Sequence, residues 1–155
     1  MISIGKKVAS FSCPATGVEK ISLKDLKGTH VVLYFYPKDN TPGCTTESRD
    51  FRDAYRKFRR AGAQVLGVSR DSLASHEKFK AKLELPFELL SDEDEKLCGM
   101  FDVIREKNMY GRKFMGVERS TFLIDSKGIL RREWRKVRVK GHVDEVLEAV
   151  KTLPA

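Results

Sequence analysis

Apolar residues along this chain fall alternately into short unbroken runs and helical stripes. Val31-Val32-Leu33-Tyr34-Phe35-Tyr36 is apolar, rich in β-branched and aromatic residues, and closed by Pro37, which predicts a strand. Thr41 and Pro42 then have the form of a helix start, with threonine as N-cap and proline at the first helical position. Beyond Cys44, the residues Phe51, Ala54, Tyr55, Phe58 and Ala61 recur at helical spacing, while Arg49, Asp50, Arg52, Asp53, Arg56, Lys57, Arg59 and Arg60 fill the other face. An amphipathic helix over 44–61 is expected, ending near Gly62.

The alternation continues. Ala63 to Ser69 reads as a strand, and Ser72 to Leu83 as a helix with Leu73, His76, Phe79 and Leu83 on one face. A short strand over Phe87 to Leu90, a short helix over Asp94 to Phe101 and a strand at Val103-Ile104 follow. The segment Glu106 to Val117 contains Gly111 and Gly116 and has little periodicity, so a loop is expected there. Ser120 to Asp125, the turn Ser126-Lys127-Gly128 and Ile129 to Trp134 predict a hairpin, and Val143 to Leu153 a final amphipathic helix. The β-α-β-α order argues for parallel pairing with a crossover helix. With the hairpin and closing helix after it, the order resembles an α/β thioredoxin-like domain: a central mixed sheet flanked by helices, preceded by an N-terminal extension.

At 155 residues, 41% hydrophobic and 34% charged, the chain fits one compact domain, 1–155. It has no apolar run of transmembrane length, and its first residues, Met1 to Lys7, lack the long apolar segment of a secretory signal. A cytoplasmic protein with no membrane partner is expected. Three cysteines, Cys13, Cys44 and Cys98, form no paired short spacing, and His30, His76 and His142 make no ligand pattern with them. Free thiols and no metal are expected.

The net charge of +8 raises the question of nucleic acid, since Arg56 to Arg60 and Arg131 to Lys140 are basic and Trp134 offers a stacking surface. The first cluster is the solvated face of the 44–61 helix. In the second, Leu130, Val137 and Val139 alternate with charge as in a half-exposed strand. No nucleic-acid partner is therefore expected, and salt-dependent retention on DNA would revive that rival.

Cys44 is the residue whose setting carries chemistry. Placed in the first turn of a helix, its sulfur meets unpaired backbone N–H groups and the positive end of the helix dipole, so the thiol should ionise more readily than a free one. The buried stripe anchors this exposed helix end to the sheet. The residue three positions on is Glu47, so the Cys-x-x-Cys pair of a disulfide oxidoreductase is missing. Chemistry that needs one thiol fits better.

Pro37, Thr41 and Cys44 stand in a Pro-x-x-x-Thr-x-x-Cys arrangement, within Tyr34-Phe35-Tyr36-Pro37 and Thr41-Pro42-Gly43-Cys44-Thr45 followed by Glu47. Leu66-Gly67-Val68-Ser69, Leu89-Leu90-Ser91-Asp92 and Arg119 before Thr121-Phe122-Leu123-Ile124-Asp125 follow in order. This set resembles the peroxiredoxins, and within them the bacterioferritin comigratory protein, or PrxQ, subfamily, over nearly the whole chain.

The resemblance implies reduction of hydrogen peroxide and organic hydroperoxides without cofactor or metal. Cys44 would be the peroxidatic thiolate, and Arg119 would stabilise it and the leaving oxygen. Thr41 would hold the peroxide with its hydroxyl, backbone N–H groups near Gly43 and Cys44 would donate to it, Pro37 would shape the pocket, and Glu47 would orient Arg119.

The chain departs from that subfamily in its second thiol. A resolving cysteine often stands five residues after the peroxidatic one, where this chain has Arg49, or on the next helix, where 72–83 has none. Cys98 on a short packed helix and Cys13 in Phe11-Ser12-Cys13-Pro14 read as small buried residues. A one-cysteine cycle is expected, in a monomer reduced by an external thiol, thioredoxin or glutathione with glutaredoxin. The alternatives are a thiol-disulfide oxidoreductase and a two-cysteine peroxidase that resolves through Cys98 or Cys13.

Overall fold

The computed structural model describes residues 2–154, so the two ends of the expected 1–155 domain, Met1 and Ala155, lie outside the described residues. Its centre is a five-stranded mixed sheet in the order β5-β4-β3-β8-β9. The strands are β3 (His30–Phe35), β4 (Ala63–Ser69), β5 (Leu89–Ser91), β8 (Ser120–Ile124) and β9 (Leu130–Trp134). β3, β4 and β5 run parallel, and β8 and β9 pair antiparallel, so the α/β thioredoxin-like arrangement expected from the sequence is the one formed. Before the sheet come β1 (Ser12–Pro14), its antiparallel partner β2 (Lys20–Ser22) and a 3-10 turn over Leu23–Leu26.

Both faces of the sheet are covered. Alternation along β3 sends Val31, Leu33 and Phe35 to one face, where they pack with Phe11, Cys13, Leu97, Cys98 and Phe101 from the N-terminal segment and from α3 (Lys96–Met100). Val32, Tyr34 and Tyr36 go to the other, beneath α1 (Pro42–Arg60), α2 (Leu73–Leu83) and α4 (His142–Lys151). α1 buries Phe51 and Phe58 completely, with Ala54, Tyr55 and Ala61 packed at the margin. That is the stripe predicted for it. The helix is thereby fixed against β4 and α4, with its N-terminus at the C-terminal end of β3.

Two expectations fail here. The expected 106–117 loop is an antiparallel hairpin, β6 (Ile104–Met109) and β7 (Arg112–Val117). Its reversal at Tyr110-Gly111 has positive φ at both residues, 54° and 78°, as a two-residue hairpin turn requires. Both faces of this ribbon are largely exposed, so no alternation of apolar and polar residues was selected to announce it. The second basic cluster is also not a continuous half-exposed strand: β9 ends at Trp134, and Val137 and Val139 lie in irregular backbone. Lys136 at φ 50° breaks the extended run.

Gly67 in β4 shows how closely the sheet is fitted to α1. A Cβ there would lie 2.7 Å from Leu89 Cδ2 and 2.8 Å from Tyr34 Cζ. The missing side chain admits the Tyr34 ring, which stacks on Phe51 at 4.6 Å and whose hydroxyl bonds Ser48 Oγ at 2.9 Å. Ser48 is one turn beyond Cys44. Gly67→Ala should therefore lower stability by about 1–3 kcal/mol through overpacking of a buried ring, measured by urea denaturation. An unchanged midpoint would show that the Tyr34 ring can move aside freely.

Candidate active site

Cys44 is the third residue of α1, after Pro42 and Gly43. The first backbone bond into the helix runs from the Thr45 N–H to the Thr41 carbonyl at 2.9 Å, and among the described residues the Gly43 and Cys44 N–H groups have no backbone acceptor. The helix end therefore presents two free donors beside the sulfur. The helix end is exposed at Pro42, as expected, but Cys44 on it is only 1% exposed.

Arg119 is what lies across it. From the corner between β7 and β8, its Nη2 donates to Cys44 Sγ at 3.3 Å and its Nη1 to Glu47 Oε1 at 2.7 Å. Cys44 and Glu47 are three residues apart and so share a helix face, which lets one planar guanidinium meet both. Gly43 gives it room, since a Cβ there would sit 3.1 Å from Arg119 Nη2.

The electrostatics of this group are set by burial. Glu47 is completely buried, and burial pushes its carboxyl up to about 7 against the opposing pull of Arg119. Its second oxygen, Oε2, has no hydrogen-bond partner among the described residues. For Arg119 burial works against the charge, but Glu47 and Cys44 outweigh it and hold the guanidinium above its ordinary value.

Thr41 is the N-cap by its extended backbone, yet its side chain makes no capping bond. Its hydroxyl donates back to the Lys38 carbonyl at 2.8 Å instead, leaving the oxygen lone pairs free. Pro37, half-buried, begins the loop that ends at Thr41. Pro37, Thr41, Gly43, Cys44, Glu47 and Arg119 thus share one end of the sheet, and among the described residues the hydrogen bond to the sulfur comes from Arg119 and not from Thr41.

Sequence reasoning missed what holds that loop. Asp39 is buried, and its carboxylate accepts from Tyr36 Oη (2.6 Å), Ser75 Oγ (2.8 Å) and His76 Nδ1 (2.8 Å). The Asp39 N–H donates to Asp71 Oδ2 at 2.9 Å. The only signal was a histidine on the apolar stripe of α2. Ligand atoms of Asp39, Asp71 and His76 lie within 4.8 Å of one another, as a metal site would require. Hydrogen bonds already engage them, and both His76 ring nitrogens face oxygen acceptors, with Nε2 2.9 Å from the Leu90 carbonyl. The cluster is a clasp between the loop and α2.

The other two thiols are far from this chemistry. Cys13 and Cys98 pack in the core on the opposite face of the sheet from Cys44. Burial pushes the Cys13 thiol up to about 12, with Asp92 and Asp94 adding to the effect, and burial with Asp92 also raises Cys98. The Cys13 sulfur is itself turned to the Ser91 carbonyl at 3.4 Å. Trp134 is likewise absorbed into the fold: its Nε1 donates to Glu145 Oε1 at 3.2 Å and its ring packs edge-on to His142.

Residues 4–133 match the AhpC/TSA family. Peroxiredoxin Bcp of Bacillus subtilis is 51% identical over 152 residues, covering 98% of this chain and 97% of that protein. Among solved structures, the bacterioferritin comigratory protein of Xanthomonas campestris, studied for its alkyl peroxide reduction activity, superposes with a TM-score of 0.87 at 51% identity, over 91% of this chain and 90% of the other. A cysteine-to-serine mutant of Xylella fastidiosa PrxQ gives 0.92 at 44% identity, over 97% and 96%. With a family match over most of its length and a Cys44–Arg119 pair at a helix start, the chain belongs to the AhpC/TSA family, as a peroxiredoxin of the bacterioferritin comigratory protein, or PrxQ, subfamily.

Proposed function

We propose that the protein reduces hydrogen peroxide and organic hydroperoxides through a thiolate at Cys44, by a one-cysteine cycle. The observation that carries this reading is the 3.3 Å contact from Arg119 Nη2 to Cys44 Sγ at the N-terminus of α1. A cation and two free N–H donors converge where sulfur must hold negative charge and where a leaving oxygen will acquire it.

The thiolate attacks the terminal oxygen of the peroxide. An S–O bond forms, the O–O bond breaks, and the departing oxygen takes a proton to leave as water or an alcohol, with Cys44 left as sulfenic acid. Thr41, its own hydroxyl proton committed to Lys38, accepts from the peroxide O–H. The Gly43 and Cys44 N–H groups donate to the peroxide oxygens, Pro37 walls the loop, and Glu47 holds Arg119 in its plane through the 2.7 Å bond.

Resolution falls to an external thiol, thioredoxin or glutathione with glutaredoxin. Arg49 and α2 supply no sulfur, and Cys13 and Cys98 are separated from Cys44 by the sheet, whereas a disulfide needs α-carbons within about 7 Å. A thiol-disulfide oxidoreductase is disfavoured because the position of its second thiol is the buried Glu47.

Cys44→Ser should abolish peroxide consumption by the purified protein, while Cys13→Ser and Cys98→Ser retain most of it. In the wild type, one equivalent of peroxide should leave a trappable sulfenic acid by intact-mass analysis, and excess peroxide without thiol should carry it to sulfinic acid. Stoichiometric loss of two thiols with a Cys44-linked peptide would recast the protein as a two-cysteine enzyme.

Arg119→Ala should slow sulfenate formation in stopped-flow by one or more powers of ten. An unchanged rate would remove Arg119 from the chemistry.

Glu47 supplies a test with a sign. Its carboxyl rises from 4.5 to about 7 on folding, so the folded chain binds the extra proton and the stability linked to it is complete below about 4.5. That stability is lost as pH rises to about 7. Glu47→Gln cannot ionise, so its melting temperature should fall less between pH 4.5 and 8 than that of the wild type. Parallel pH profiles would mean that Glu47 is ionised throughout.

A further inference from the structure

We propose that one face of the β6–β7 hairpin is the docking surface for a protein reductant, whose reducing thiol lies in an apolar patch rimmed by carboxylates. This rests on the reading of Cys44 as a peroxidatic residue reduced from outside. The hairpin register pairs Met109 with Arg112, Lys107 with Phe114 and Arg105 with Gly116. Directly paired residues share a face, so Met109, Phe114, Arg105, Lys107 and Arg112 project together; Arg105 is paired with Asp102 at 2.9 Å, which leaves Lys107 and Arg112 as the cations of this face with no carboxylate partner among the described residues. The opposite face is mixed, with Glu106 bridged to Lys113 at 3.6 Å beside Met115.

Met109 is 58% exposed, Phe114 43%, and Tyr110 at the turn between them 98%. With Met115 they are four of the six large hydrophobics exposed among the described residues, and all four stand on one hairpin. A concentration of that kind on an otherwise charged surface marks a contact site.

The cationic face also adjoins the reactive sulfur. Lys107 stacks its stem against bare Gly116 and donates to the Val117 carbonyl at 2.6 Å. Its ammonium feels both Arg119 and Cys44, and burial, ahead of Arg119, holds it below the ordinary value. Arg70 ties the other edge to the body through the Met115 carbonyl at 3.3 Å. The base of the hairpin is thus tied to the body of the fold next to Arg119, while its tip at Met109, Arg112 and Phe114 stands clear. Arg112 has no acidic partner among the described residues, so its charge is free for an incoming surface.

Charge and apolarity together select the partner. A protein dithiol with an apolar, acid-rimmed thiol would be steered by the cations and seated by Met109 and Phe114. Its first thiol attacks the Cys44 sulfenic sulfur, forming a mixed disulfide and releasing water. Its second thiol then displaces Cys44 as thiol and leaves the partner oxidised as a disulfide.

The test uses the full chain, with Met109→Ser/Phe114→Ser and Arg112→Glu as variants. Three rates are compared: oxidation of Cys44 by hydrogen peroxide, reduction of its sulfenic acid by dithiothreitol, and reduction by thioredoxin recycled with its reductase. The thioredoxin rate should fall at least tenfold in both variants, and its decline with added salt should be shallower for Arg112→Glu. The other two rates should stay within twofold.

Equal loss in all three rates, or no loss with thioredoxin, overturns the proposal. So does a wild type that thioredoxin reduces no faster than dithiothreitol at equal thiol concentration. A wild-type dimer by light scattering that the variants convert to monomer would make the face a self-interface, and overturns it too. Failure of the underlying reading looks different: peroxide would then leave Cys44 unoxidised in the wild type.

Discussion

The structure of the site depends on one cation shared between two acceptors on one turn of helix. Arg119 reaches both Cys44 Sγ and Glu47 Oε1, and the part-buried guanidinium is the charged partner of a fully buried carboxyl and a buried sulfur. Without the guanidinium, a fully buried carboxyl would stay neutral and the sulfur would have no charged donor. The backbone arranges this from a distance. Antiparallel pairing of β8 with β3 matches Ser120 to Phe35, which puts Arg119 beside the end of the strand whose following loop returns Cys44. A one-residue slip of β8 would turn the arginine to the other side of the sheet.

Much of this was legible in the sequence, and for definable reasons. β3, α1, β4 and α2 bury a continuous run or a clean stripe, so their periodicity records their packing. The hairpin β6–β7 buries little, and no comparable record exists for it. Thr41 and Pro42 announced the helix start correctly, but the threonine hydroxyl turned back to Lys38 rather than capping. The association of Arg119 with Cys44, 75 residues apart, followed from family resemblance and from no local pattern. Of the Asp39–His76 clasp, the sequence carried only a histidine on the apolar stripe of α2; Asp39 is not unusual in its own stretch, and only the fold brings the two together.

Rigidity around the reactive sulfur comes from polar bonds as much as from apolar packing. The loop from Pro37 to Thr41 is fixed through Asp39 to α2, and α1 is keyed to β3 by Tyr34, Ser48 and the space left at Gly67. A fixed loop keeps Thr41 and the helix-end N–H groups in register with the sulfur before any substrate arrives. That is pre-organisation in the sense that matters for a reaction driven by developing charge.

The partition of thiols between the two faces of the sheet makes the molecule its own unfolding gauge. Cys13 and Cys98 are buried, with thiols raised by that burial, so a thiol reagent reaches them only when the core beneath the N-terminal segment and α3 opens. Cys44 lies in the other core, at a helix end, and answers to movement of Arg119 and the adjoining loop. Labelling each cysteine over time therefore separates local opening of one layer from global opening of the other, without adding a probe.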